Sequence, residues 1–399
     1  MATRKIDFAE RVTRYEPSRS VTDVLKLAER PDVISLAGGL PDPAVFSLEQ
    51  IRESMERVLR DEAGAALNYG PNPGYSRLRE WIAARMGGTE GVDLDVDNIL
   101  VVSGGVEGLN LAAMALLDEG DTVLVEAPTY MIALHVFRTY AARIVPVAVD
   151  EGGLDVDALE GRLEELSREG VRPRLLYVIP SFQNPSGCTM DEARRRKLVD
   201  VCRAHGVLIV EDHAYGELVY DGEKRPPLKA LDPGNVVFVH TFSKIFGPGV
   251  RLGWVAAEPA FIERLGLCKL GTDQCANTLT QRLVYDYGSR GHIDEQVTGA
   301  IELYRRKRDA MEAAMKRHFP PEASWVHPEG GFFIWVRLSE GVDSEALLSR
   351  AIETEKTAFV AGPPFHLDGG ANFLRLSFSF VPEDQIEEGI RRLARVLSS

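Results

Sequence analysis

Val236-Val237-Phe238-Val239-His240-Thr241-Phe242-Ser243-Lys244-Ile245-Phe246-Gly247-Pro248-Gly249-Val250-Arg251-Leu252-Gly253-Trp254 is the stretch on which the fold turns. Three valines and a phenylalanine lead into the hydroxyls of Thr241 and Ser243, then Lys244 and a glycine–proline turn. A short apolar run bounded by turn residues is the pattern of a strand buried on both faces. Lys244 therefore stands at a strand end, not on a solvated helix face. A lone lysine is most often a surface charge, so the rest of the chain must carry any further reading.

Five more runs have the same character: Ile99–Val102, Thr122–Val125, Ile144–Val147, Leu175–Ile179 and Val207–Val210. Helical faces lie between several of them. One is Val106, Leu109, Ala113, Leu116 and Leu117; another is Leu198, Val199 and Cys202, opened by the capping box Thr189-x-x-Glu192. From about residue 98 to 256 this alternation predicts an α/β fold, a mostly parallel sheet covered by helices on both faces. Ligands of such sheets bind beyond the carboxyl ends of the strands, and the polar residues singled out below are expected just after strands. A helical region over roughly 258–318 follows. Strands around Gly330–Val336, Phe359–Gly362 and Phe373–Phe378 and a helix over Pro382–Leu397 predict a smaller α+β domain. The first thirty residues are charged and weakly periodic, and are expected to form an arm that orders on a neighbour or on ligand.

The 399 residues, 45% hydrophobic and 27% charged, can bury a large core. A formal charge of −14 argues against nucleic acid, which needs a basic face, and gives no reason to expect an anionic membrane. No apolar stretch reaches bilayer length, and Met1-Ala2-Thr3-Arg4-Lys5-Ile6-Asp7 lacks a signal-peptide apolar region. Cys188, Cys202, Cys268 and Cys275 form no C-x-x-C pair, so free thiols in a reducing cytoplasm are expected. His213, His240 and His366 are scattered in sequence, and no metal site is expected.

Six segments carry the chemistry. Ser103-Gly104-Gly105-Val106-Glu107-Gly108 follows a strand and opens a helix, where glycines and unpaired N–H groups admit a phosphate. A tight turn for helix–sheet packing has the same sequence, and the spacing is not that of a dinucleotide or P-loop site. Tyr130, in Ala127-Pro128-Thr129-Tyr130, offers a face to a planar heteroaromatic group or packs on its own loop. Asn184, held before Pro185, either donates its amide to a ring oxygen or makes a plain turn. Asp212, three residues ahead of Tyr215, is costly if buried unpaired. It caps a following helix or meets a protonated pyridine nitrogen. Arg375 sits among apolar neighbours and calls for a bidentate anion, structural or substrate. Lys244, with the hydroxyls of Thr241 and Ser243 and the cation of Arg251, supplies what an aldehyde cofactor with a phosphate tail requires.

Asn184-Pro185, Asp212-x-x-Tyr215, Ser243-Lys244 with Arg251, and Arg375, in this order and spacing, resemble the class I/II aminotransferase family. These are fold-type I enzymes dependent on pyridoxal 5′-phosphate. The likeness runs from about Ile34, with Ser35-Leu36-Ala37-Gly38-Gly39-Leu40-Pro41, to about residue 395. The nearest branch holds 2-aminoadipate, kynurenine and aromatic or branched-chain transaminases. The resemblance implies that Lys244 bonds the cofactor aldehyde and shuttles the proton. It places Asp212 on the pyridine nitrogen, Asn184 and Tyr215 on the ring hydroxyl, and Tyr130 on the ring face. Ser103, Gly104, Gly105, Val106, Ser243 and Arg251 form the phosphate end, the glycine turn through backbone at Gly105 and Val106. Arg375 and Asn184 take the substrate α-carboxylate, with Gly39 lining the pocket. Tyr69, in Asn68-Tyr69-Gly70-Pro71, resembles the tyrosine that reaches the neighbouring subunit's phosphate, which implies a homodimer with shared sites.

The expected division is an N-terminal arm with part of the small domain over 1–45, a large cofactor-binding domain over 46–290 and a small domain over 291–399. Three departures stand out: Gly105-Val106-Glu107 where relatives carry polar residues after the turn, His213 close to the expected ring position, and Thr22 near Arg19 where aminoadipate-type relatives carry an arginine. The expected activity is transfer of an amino group between an L-amino acid and a 2-oxo acid. The alternative is another reaction on the same cofactor, β- or γ-elimination, replacement or carbon–carbon condensation. A cofactor-binding transcription regulator is a third reading, but those carry a DNA-binding helix-turn-helix, and neither that nor a basic surface is expected here.

Overall fold

The computed structural model describes residues 6–13 and 30–398. Most of the expected N-terminal arm, including Arg19 and Thr22, lies outside the described residues. In chain order the strands are β1 (Ile34–Ser35), β2 (Ile99–Val102), β3 (Thr122–Ala127), β4 (Arg143–Asp150), β5 (Gly153–Leu154), β6 (Leu175–Val178) and β7 (Leu208–Asp212). They continue as β8 (Val236–Thr241), β9 (Gly253–Ala256), β10 (Ser324–Trp325), β11 (Phe333–Arg337), β12 (Thr357–Ala358), β13 (Val360–Ala361) and β14 (Phe373–Ser377).

Each of the six apolar runs occupies a strand of one large sheet, ordered β2-β9-β8-β7-β6-β3-β4-β5. The block β8-β7-β6-β3-β4 is parallel throughout. Strand β9 runs antiparallel between β2 and β8. Its four residues directly follow the lysine loop and in the sequence read as part of that loop. Alternate residues of each strand enter different cores, as a pleated sheet demands. Leu175 and Tyr177 pack with Leu109, Leu134 and Phe137 on one face. Leu176 and Val178 pack with Leu163, Leu198 and Cys202 on the other. Complete burial of a leucine such as Leu176 contributes about 1.5–3 kcal/mol.

The capping box expected at Thr189 does not form. Asp191 caps the helix Glu192–His205 by accepting from Arg194 N at 2.7 Å. The Thr189 hydroxyl instead accepts from Phe182 N at 3.1 Å and braces the loop after β6. Val106, expected on a core-facing stripe, is 38% exposed. It stands in the first turn of the helix Gly105–Leu116, at the mouth of the cavity described below.

Beyond the large sheet, the helical tract resolves into Pro259–Leu270, Thr278–Ser289 and His292–His318. A second sheet follows, β10-β11-β14-β13, antiparallel throughout. The helix Glu383–Leu397 covers it through Ile386, Ile390 and Leu393. The pair β1 and β12, parallel, ties the chain near residue 34 to this region. Arg375 lies in the middle of β14, not at or after a strand end as the other polar residues do.

Candidate active site

Parallel strands aim their carboxyl ends in one direction, so the loops after β3, β6, β7 and β8 meet at one edge. They enclose a cavity of about 220 Å³ whose lining includes Tyr130, Asn184, Asp212, Tyr215, Ser243 and Lys244. Gly105, Val106 and Arg251 close it at the end nearest the helix Gly105–Leu116.

Lys244 donates its ammonium to Gly39 O at 2.6 Å, and the amine lies 5.7 Å from the Tyr215 ring centroid and 5.5 Å from that of Phe332. Gly39 has to be small: a Cβ there would stand 2.8 Å from Phe333 Cζ. No carboxylate pairs with Lys244 among the described residues. Burial, with Arg375 and Arg251 nearby and only Asp212 opposing, pulls its pKa down to about 8. An amine so placed loses its proton at a much lower pH than an ordinary lysine, which eases its use as a nucleophile.

Asp212 accepts from Tyr177 Oη at 2.7 Å and from Ala214 N at 3.2 Å. Burial raises its pKa, and those two donors draw it back. The next helix, Leu228–Leu231, has its first N–H groups held by Glu211, so Asp212 caps no helix among the described residues. Tyr215 is buried and packs edge-on against Phe332 and Phe333. Burial pushes its phenol up, so it stays a donor.

Arg375 crosses from the second sheet into this edge. Its Nη1 donates to Asn184 Oδ1 at 2.8 Å and its Nη2 to Ala37 O at 3.0 Å. The guanidinium stacks 4.0 Å from the Phe333 centroid, and its Nε is buried without a partner. No carboxylate pairs with it among the described residues, and burial draws its pKa down to about 10. A buried cation without a counter-ion is costly. The site thus offers an anion an unpaired N–H donor and a charge.

At the other end, Arg251 has φ +48° and its Nη2 donates to Ser103 O at 3.3 Å. Gly104, at φ +105°, lets it approach: a Cβ there would meet Arg251 Nη2 at 2.7 Å. Ser243 Oγ accepts from Thr241 Oγ1 at 2.9 Å. Ser103 lies near this end, but its hydroxyl donates to Asp273 Oδ2 at 2.8 Å, and Asp273 pairs with Lys269. Tyr69 is 85% exposed and lines a separate surface groove with Leu67, Asp273 and Thr278.

His213 is turned away from the cavity, because it follows Asp212 by one residue at the end of a pleated strand. It sits on the opposite side, 3.4 Å from Glu90 Oε2 and 3.8 Å from Glu211 Oε1. Its ring centroid lies 5.5 Å from that of His240, so two histidines that look scattered in sequence are neighbours. Burial opposes charge on His213, but Glu90 and Glu211 outweigh it and lift the pKa to about 9. Among the described residues no three of His, Cys, Asp or Glu gather as a metal site.

Three residues escaped the sequence reading: Tyr177, Phe333 and Glu126. Tyr177 and Phe333 lie inside apolar runs and read as core. Glu126 carried one signal, an acid ending an apolar strand run just before Ala127-Pro128.

Residues 31–393 match the family described as aminotransferase class I and II. Aromatic-amino-acid aminotransferase 1 of Thermococcus litoralis is 41% identical over 98% of this chain and 94% of its own length. The 2-aminoadipate transaminase of Thermus thermophilus is 39% identical over 95% of this chain and 93% of its own. The crystal structure of Pyrococcus horikoshii kynurenine aminotransferase, in complex with PMP, superposes with a TM-score of 0.94 at 39% identity, covering 98% of this chain and 96% of that one.

Proposed function

The chain belongs to the aminotransferase class I and II family, enzymes that move an amino group between an L-amino acid and a 2-oxo acid, and we propose that it does so with pyridoxal 5′-phosphate held around Lys244. The observation that carries this is a set of charges without counter-ions: Arg251 and Arg375 without carboxylates, and Asp212 without a cation among the described residues. Each is complementary to one part of the cofactor or of an amino acid. Arg251, with Ser243 and the backbone N–H groups of Gly105 and Val106 at a helix start, suits a phosphate dianion. The Ser103 and Gly104 backbone shapes that turn. Asp212 suits a protonated pyridine nitrogen, Tyr130 a ring face, and Tyr215 with the Asn184 amide a ring oxygen.

When bound, pyridoxal phosphate supplies an electron sink for the charge left at the substrate α-carbon. The protein's part is position and proton transfer. Arg375 and Asn184 hold the α-carboxylate, with Gly39 beside it, which fixes the α-carbon toward Lys244. With the cofactor in place, the Lys244 amine would stand where it can take a proton from the substrate α-carbon as general base and give it back as general acid, a contribution of roughly 10²–10⁴ in rate. Asp212, steadied by Tyr177 and Ala214 N, keeps a positive charge opposite its carboxylate.

Tyr69, remote from its own cavity and largely exposed, is read as reaching the phosphate end of a second copy, in a homodimer. We take 46–290 as the large cofactor-binding domain, 291–399 as the small one and 1–45 as an arm with part of the small domain. No helix among the described residues is long and apolar enough to cross a membrane. Four unpaired cysteines go with a reducing compartment, and we place the enzyme in the cytoplasm. Incubating the holoenzyme with one amino acid and one 2-oxo acid tests the reaction. The amino group should appear on the oxo acid without ammonia release; ammonia formed in step with substrate loss would indicate elimination instead.

A further inference from the structure

Glu126 ends the apolar part of β3, is 1% exposed, and has no part in the chemistry above. Its Oε2 accepts from Ile179 N at 3.0 Å and from Gln183 Nε2 at 3.2 Å. Its Oε1 is buried with no hydrogen-bond partner, and no cation pairs with the carboxyl among the described residues. Gln183 is the residue before Asn184. It also donates to Pro128 O at 2.7 Å and accepts from Ser186 N at 2.8 Å. One acid therefore fastens the loop after β6 to the end of β3 at two points. The next side chain along is the amide whose oxygen faces Arg375 at 2.8 Å.

A buried acid with no cation is costly as a carboxylate. Burial, with the charge of Asp212 adding to it, pushes the Glu126 carboxyl up to about 8. At neutral pH it accordingly keeps its proton and serves as a neutral acceptor. Asp212 is the acid among the residues that line the cavity.

We propose that Glu126 is a positioning residue for substrate binding: by tethering Ile179 and Gln183 to the end of β3, it fixes Asn184 against Arg375 and sets the grip on the α-carboxylate. The inference rests on reading Arg375 and Asn184 as the carboxylate clamp.

Single half-reactions separate affinity from limiting rate. The holoenzyme is mixed with the amino acid that the wild type converts fastest, and the cofactor absorbance is followed. In Glu126→Ala two donors lose their acceptor, so the substrate dissociation constant should rise roughly tenfold while the limiting rate changes less than about threefold. Glu126→Gln keeps a neutral acceptor of the same shape and should restore most of the affinity. An unaltered dissociation constant in Glu126→Ala, or a Gln variant as weak as the Ala variant, overturns the proposal. Should Glu126→Ala not fold, Glu126→Met fills the same space without an acceptor and is judged by the same criterion. Arg375→Ala is run in parallel. If it too binds as the wild type does, the clamp itself is misassigned and the proposal goes with it. If it binds weakly beside an unaltered Glu126→Ala, only the role of Glu126 is lost.

Discussion

Tyr177 donates its phenol to Asp212 Oδ2 at 2.7 Å, from the middle of β6 to the end of β7. Tyr177 pairs in register with Val210, so Asp212, two residues on, shares its face of the sheet. The bond opposes the desolvation that raises the Asp212 carboxyl. In Tyr177→Phe that opposition is gone and Asp212 is a weaker anion. A hydrogen bond to a charged group contributes about 1.5–3 kcal/mol, so cofactor affinity should fall on the order of tenfold or more. Equilibrium titration of the cofactor-free protein with pyridoxal phosphate measures this, and an unchanged dissociation constant would remove Tyr177 from the account.

Much of the site is legible in the sequence because parallel strands converge. Tyr130, Asn184, Asp212 and Lys244 each follow or end an apolar run, and runs that become parallel neighbours bring their ends together. What stayed hidden depends on contacts between distant segments. Nothing local to Tyr177 distinguishes a hydrogen-bonding phenol from a core ring. The hydroxyl of Thr189 looked like a cap, but the loop after β6 claims it. His213 is adjacent to the site in sequence, yet the pleat sends it to the far side of the strand. Strand β9 was lost because an antiparallel strand needs no helix before it, so the alternation of run and helix that identified the others was missing.

Lys244 sets a pH dependence. Its folded-state pKa is held down at about 8 by burial and by the fields of Arg375 and Arg251. In the cofactor-free protein the uncharged amine should grow in as pH rises through about 8, and the rate of covalent attachment of pyridoxal phosphate should rise with it and level off. An ordinary lysine would go on accelerating toward its reference pKa near 10.4. The unfolded chain holds this proton across that window and the folded chain does not, so stability gains from Lys244 as pH rises. Lys244→Met should therefore raise the melting temperature of the cofactor-free protein at pH 7, with the difference narrowing toward pH 10.

His213 works with the opposite sign. Its pKa is lifted to about 9 by Glu90 and Glu211, against the effect of burial. Its stabilisation is fully present below the unfolded value near 6.5 and is lost as pH climbs through about 9. Glu90 keeps Lys224 and Glu211 keeps its two backbone donors when the imidazolium is removed, so His213→Gln should cost about 1.5–3 kcal/mol at pH 6. Denaturant titrations at pH 6 and pH 9.5 test this; a cost that does not shrink at the higher pH would contradict the assignment.

Tyr69 provides a test of shared sites. Tyr69→Ala and Lys244→Ala chains are each expected to be inactive or nearly so. Unfolded together and refolded, they should regain roughly a quarter of wild-type sites, since each mixed dimer then carries one intact set. No recovery on mixing, with each chain folded, would place Tyr69 outside the partner's site.

The whole mechanism requires that the Lys244 amine carry the aldehyde of pyridoxal phosphate. Borohydride reduction of the holoenzyme followed by peptide mass spectrometry tests it most directly. A phosphopyridoxyl mass increment fixed on the peptide containing Lys244, and missing from the Lys244→Ala protein, is the predicted result. A reduced adduct on a different lysine, or none on a protein that still transfers amino groups, would contradict the account.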